Sequence, residues 1–149
     1  MPAKKTKIIY FLILPWFLFL LQGCEDDRRP FPYVPFNVTF DISTQLNNLP
    51  TGQYIIKDEK DNYGYGGLII YHSVGNTFYA FDLACPFRPQ NKCLLKEDDT
   101  FDNLMKCPCC GSSYQLVEEG RPFNGPSTQP LKQYDAFYIE ASNQLKVTN

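Results

Sequence analysis

The sequence predicts an all-β domain, and three observations lead to it. Apolar Val38, Phe40 and Ile42 alternate with polar Asn37, Thr39 and Asp41, as in a half-buried strand. Turn residues recur about every 8 to 14 positions. No window of a dozen residues carries the periodicity of an amphipathic helix. At 149 residues the chain is one domain's worth of material, too short for a large multidomain enzyme.

The amino terminus reads as an address. Lys4, Lys5 and Lys7 precede an apolar run from Ile8 to Leu21, which is shorter than the roughly 20 residues of a spanning helix and has the length of a signal-peptide core. The run ends in Leu21-Gln22-Gly23-Cys24, which resembles the lipobox of bacterial lipoproteins. That resemblance implies cleavage before Cys24 and a lipid on its thiol, so residues 1–23 would be a signal peptide. Glu25, Asp26 and Asp27 follow, and they resemble the acidic tags that steer some lipoproteins to the outer membrane or its outer face. Pro30, Pro32 and Pro35 then make residues 24–36 an extended, stiff tether. Residues 37–149 are left as the folded domain.

Within that domain a strand through Val38–Ile42 comes first, and Tyr54–Ile56 follows a Pro50-Thr51-Gly52 turn. Leu68–Ser73 and Thr77–Asp82 flank Val74-Gly75-Asn76 as a hairpin. Later strands fall at Tyr114–Val117, Phe137–Ala141 and Gln144–Val147. Tyr71, Phe78, Tyr79 and Phe81 read as packing residues of these strands. Gly64-Tyr65-Gly66-Gly67 lacks the strand–loop–helix context of a phosphate loop and reads as a flexible turn or bulge, and Glu97-Asp98-Asp99 reads as a solvated loop.

Charge and composition narrow the function. Without residues 1–23 the chain keeps 126 residues with 11 basic and 16 acidic side chains, which argues against nucleic acid as a partner. His72 is the sole histidine and sits among apolar strand residues, so no Ser-His-Asp set can be assembled. The expectation is a protein that is not an enzyme.

The cysteines are the specific signal. Beyond Cys24 they are Cys85, Cys93, Cys107, Cys109 and Cys110. Two of them open the boxes Cys85-Pro86-Phe87 and Cys107-Pro108-Cys109-Cys110-Gly111-Ser112-Ser113-Tyr114. With Gly125-Pro126-Ser127 and Pro130-Leu131 beyond, this resembles a Rieske domain, whose boxes read Cys-Pro-His and Cys-Pro-x-His-Gly-Ser-x-Tyr. The resemblance implies an antiparallel β-sandwich with a small cysteine-bearing subdomain of two loops. It also implies a [2Fe-2S] cluster held by two cysteines on one iron and two histidines on the other. Carried over, the cysteine ligands fall on Cys85 and Cys107, and the histidine positions fall on Phe87 and Cys110. Ser112 and Tyr114 match positions that hydrogen-bond the cluster sulfurs.

Three readings of the domain cysteines stay open. In the first the site holds no cofactor: the resemblance pairs Cys93 with Cys109 in a disulfide, Cys85 bonds Cys107 or Cys110, and one thiol is left over. Closing the separation between residues 93 and 109 would contribute about 3 kcal/mol. In the second, Cys85, Cys107, Cys110 and Cys93 hold an all-thiolate [2Fe-2S] cluster of low potential, and the partner is a redox protein. In the third the same four cysteines hold zinc. The first gives a lipid-anchored envelope module with no cofactor, attached to the membrane and recognising an envelope protein through the loops Pro86–Pro89 and Gly125–Gln129. Phe87 would then plug the cavity.

Overall fold

The computed structural model of the protein describes residues 30–149. The expected signal peptide, Cys24 and the acidic run Glu25–Asp27 lie outside the described residues. Among the described residues there is no α-helix, and every strand pairing is antiparallel.

Ten strands run in order: β1 (Asn37–Asp41), β2 (Tyr54–Lys57), β3 (Leu68–His72), β4 (Phe78–Asp82), β5 (Lys96–Glu97), β6 (Leu104–Lys106), β7 (Ser113–Gln115), β8 (Arg121–Asn124), β9 (Gln133–Ile139) and β10 (Gln144–Thr148). They form a six-stranded sheet ordered β1-β10-β9-β4-β3-β2 and a four-stranded sheet ordered β5-β6-β7-β8. The whole small sheet is inserted between β4 and β9, which pair through Ala80 with Tyr134 and Phe81 with Gln133.

Alternation along β3 explains the layering. Leu68 and Ile70 face one core with Phe40, Phe78, Ala80, Leu145 and Val147, as the large sheet curls to bring β1 and β10 over β3 and β4. Ile69 and Tyr71 face a second core with Phe81, Met105, Tyr114 and Leu116, between the large sheet and the small one. With both faces covered, Leu68 through Tyr71 are all buried, and the run reads as continuous apolar sequence.

The expected hairpin turns at Gly75, whose φ of +64° is the left-handed conformation glycine adopts without strain. The strand expected to reach Ala141 ends at Ile139, because Glu140–Ser142 form a 3-10 turn capped by left-handed Asn143. Three strands have no counterpart in the sequence reading. β5 lies partly in the run expected to be a solvated loop, where Lys96 and Glu97 pair with Lys106 and Met105. β6 has three residues, and β8 contains Pro122, tolerated at the sheet edge beside the register shift at Ser113/Tyr114.

The turn expected to be flexible is pinned. Buried Asp82 accepts hydrogen bonds from the amides of Tyr65 (2.6 Å) and Gly66 (3.0 Å), the amide of Ala84 (2.7 Å) and the hydroxyl of Tyr134 (2.6 Å). A Cβ on Gly66 would lie 2.7 Å from the Ala84 nitrogen, so glycine is needed for this close approach. The tether expected over residues 24–36 has no regular structure where it is described, yet Phe31 stacks edge-on against Tyr65 and Phe36 against Tyr134.

Candidate functional site

The two cysteine boxes meet at the end of the small sheet. The first leaves β4, where Ala84 bridges to Leu94 and the Cys85 amide donates to the Cys93 carbonyl at 2.8 Å. The second is a tight turn between β6 and β7, in which the Gly111 amide donates to the Cys107 carbonyl at 2.9 Å and the Cys107 amide to the Ser112 carbonyl at 2.8 Å. Gly111 has φ +76° at this turn.

A disulfide joins Cys93 to Cys109 with their Cα atoms 6.3 Å apart, tying the first loop to the second. Cys85, Cys107 and Cys110 are free thiols whose sulfurs all lie within 4.8 Å of one another. Cys85 is therefore bonded to neither Cys107 nor Cys110, the two pairings the sequence left open. It instead lies 3.7 Å from the Cys110 sulfur and 3.3 Å from the Tyr114 hydroxyl. Cys93 cannot act as the fourth thiolate of an iron or zinc site in this state, because its sulfur is already bonded to Cys109.

The supporting polar groups converge as well. The Cys110 thiol donates to the Ser112 hydroxyl oxygen at 3.2 Å, and that oxygen also accepts the Ser127 amide at 3.0 Å, so the Gly125–Gln129 loop is tied to the second box. Gly125 makes this contact possible: its φ is +96°, and a Cβ there would lie 2.5 Å from the Ser112 Cα. Phe87, half-buried, packs against the core beneath the site, with the Arg88 guanidinium 5.3 Å from its ring centroid. A cavity of about 70 Å³ remains among Cys85, Phe87, Arg88, Cys107 and Cys110.

The thiols are electrostatically unequal. Burial pushes Cys85 up to about 12, against the opposing pull of the Tyr114 hydroxyl and the Phe87 amide. Burial also opposes ionisation of Cys110, but once ionised its sulfur accepts from the Ser112 hydroxyl and amide and from the Cys107 and Cys85 thiols, which outweighs burial and holds the thiol below its ordinary 9.0. Burial and the bond to Cys85 raise Tyr114 well above the usual phenol range.

His72 lies elsewhere, stacked on Phe78 at 4.2 Å, with Nδ1 2.6 Å from the Leu49 carbonyl and Nε2 2.8 Å from that of Gly75. Both ring nitrogens are thus engaged away from the cysteines. Asp82, two residues before Ala84 and three before Cys85, was missed from sequence. The signal that could have found it is a carboxylate inside the apolar run Phe81-Asp82-Leu83-Ala84, since a buried acid must be hydrogen-bonded.

A family model described as the Rieske [2Fe-2S] domain matches residues 41–135. No curated protein matches the chain. Among solved structures it is similar to one in the complex of reduced oxygenase and oxidised ferredoxin in carbazole 1,9a-dioxygenase, at 22% identity and TM-score 0.46, covering 68% of this chain and 85% of that one. It is also similar to the ferredoxin of carbazole 1,9a-dioxygenase from Nocardioides aromaticivorans, at 19% identity and TM-score 0.45, covering 77% of this chain and 97% of that one.

Proposed function

The chain belongs to the Rieske [2Fe-2S] domain family, and we propose that it is a lipid-anchored, non-catalytic envelope module of that fold whose cluster seat no longer holds a cluster. The single observation that carries this reading is the donor set. The family's cluster takes two thiolates and two imidazoles. Here Cys85 and Cys107 are kept, Cys110 stands at one imidazole position, and Phe87, which offers no donor atom, stands at the other. The would-be fourth thiolate, Cys93, is spent in the disulfide. Three donors and a phenyl ring do not fit a four-ligand cluster.

Recognition is then the role left to the cluster tip. The loops around Pro86 and Gln129 share a groove of about 420 Å³, which Leu131 and Phe31 also line. An envelope protein is the partner this reading assigns to it, with the membrane reached through a lipid on Cys24. No helix in the described residues is long and apolar enough to cross a membrane. Replacing Cys24 by serine should release the protein from envelope membranes and abolish labelling by a radioactive fatty acid; labelling at the normal level would sink the anchor.

One observation favours electron transfer instead, namely the convergence of three thiols on one point. Iron and acid-labile sulfide content of protein taken from the native envelope decides between the two readings. Absence of both supports the cluster-free module. About two irons and two sulfides per chain would overturn it and make the protein an electron carrier with Cys93 released from its disulfide.

A further inference from the structure

We propose that Cys85, Cys107 and Cys110 form a three-coordinate seat for a single soft monovalent cation, copper(I). The proposal rests on the cluster-free reading above, because the same sulfurs cannot serve both occupants. Metal–thiolate bonds of about 2.3 Å place three sulfurs around one central ion about 4 Å apart. Cys85 and Cys110 are 3.7 Å apart, and no pair in the triad exceeds 4.8 Å. The triad therefore needs only a slight adjustment to close on an ion.

Ligand number and type select the ion. Thiolates are soft donors suited to copper(I), zinc and iron–sulfur clusters. Structural zinc is held by four ligands, and a [2Fe-2S] cluster also takes four. Copper(I) is the one of the three that is satisfied by three sulfurs. Phe87, which lines the same cavity, is a hydrocarbon side chain and offers no fourth donor. Three thiolates around a monovalent ion leave negative charge in a half-buried place, and Arg88 on the same cavity wall brings compensating positive charge. Loading breaks three S–H bonds, forms three Cu–S bonds and releases three protons to solvent. Copper enters as copper(I), so no oxidation state changes.

The test uses the full chain in detergent, purified anaerobically without added reductant so that the Cys93–Cys109 disulfide stays closed. Copper(I) is titrated in competition with a chromophoric copper(I) chelator. One ion per chain should be withheld from the chelator, and Cys85, Cys107 and Cys110 should become protected from alkylation when mapped by peptide mass. Cys110→Ser, at the half-buried position, should weaken retention by more than the roughly 100-fold that loss of a supporting partner costs a metal site. Phe87→Ala should improve zinc binding, by opening the fourth position. The seat is overturned if no copper(I) is withheld, if zinc binds the unaltered chain more tightly, or if Cys85 is found bonded to Cys110 in the protein as isolated. Iron and sulfide in native protein would overturn the cluster-free reading itself, a distinct failure.

Discussion

The two sheets are held together by different means. In the large sheet β1 meets β10, β10 meets β9, and β3 meets β4 through five residue pairs each, above a core whose central members are fully buried. In the small sheet the ladders have two or three pairs, one of them with a register shift. Ladders that short gain little from backbone pairing. Side chains and loop contacts take over: the Cys93–Cys109 disulfide, the Cys85–Tyr114 contact, and the Ser127 amide on the Ser112 hydroxyl. Cooperative packing holds the large sheet, and the small one adds individual cross-links to the core that Met105, Tyr114 and Leu116 share with it.

Phe40 tests the packed side of this comparison. It is buried in β1 and stacks edge-on against Tyr63 at 5.3 Å. Phe40→Ala should cost about 3–5 kcal/mol in urea unfolding, with the cysteine loops still joined by their disulfide. A cost under about 1 kcal/mol would show that the curled core tolerates a void and is not the packed region described.

Cys93→Ser tests the cross-linked side. Under oxidising conditions it should cost about 3 kcal/mol, and under reducing conditions almost nothing. Hydrogen exchange sharpens the contrast, because protection should fall in β5 to β8 and persist in β3 and β10. Equal loss in both sheets would erase the distinction.

Two glycines separate space from backbone conformation. Gly111 has φ +76° with nothing within 4 Å of a built Cβ, so Gly111→Ala should cost about 1 kcal/mol from conformation alone. Gly125→Ala meets Ser112 as well and should cost about 2 kcal/mol or more, with looser anchoring of the Gly125–Gln129 loop. Equal melting temperatures for the two variants would remove the close approach from the account.

The smallest expected effect is a pH trend at the junction of the sheets. Burial raises the Asp82 carboxyl above its ordinary 3.8, and the bonds from Tyr134 and from the Ala84, Tyr65 and Gly66 amides only partly offset it. A raised folded value means that the folded state holds the proton more readily than the unfolded chain does. This contribution is present below pH 3.8 and lost as pH rises through the folded value. Asp82→Asn should abolish it, so wild type should lose stability relative to the variant across that window in paired urea titrations. A constant gap would place Asp82 at an unshifted pKa.

What was legible in the sequence follows the same division. β1, β3, β4 and β10 show their alternation or their apolar run, because each is long enough to bury a patterned face. Lys96–Glu97 and Leu104–Lys106 are too short to carry a period, and Pro122 argues locally against β8. Those strands are placed by tertiary contacts such as the burial of Leu104 and Met105, which periodicity over two or three residues cannot report. At the site, the resemblance of the two boxes to those of a Rieske domain pointed to Cys85, Cys107, Cys110, Ser112 and Tyr114 together. The resemblance also gave the Cys93–Cys109 bond, but that Cys85, Cys107 and Cys110 all stay free depends on how the two loops face each other, which spacing along the chain does not encode.

The insertion of the small sheet also bears on how the chain finds its fold. The Asp82–Tyr134 hydrogen bond closes an excursion of 52 residues. With Cys93 and Cys109 bonded, 16 residues drop out of the path, leaving an effective loop of about 36 and saving about 0.3 kcal/mol of closure entropy. That saving is about a tenth of what the same bond contributes to the stability of its own loops. The large sheet should therefore zip β4 to β9 at nearly the same rate whether the disulfide is open or closed. The inserted sheet is carried along in that search, and its cross-link preserves a local shape without hastening the search.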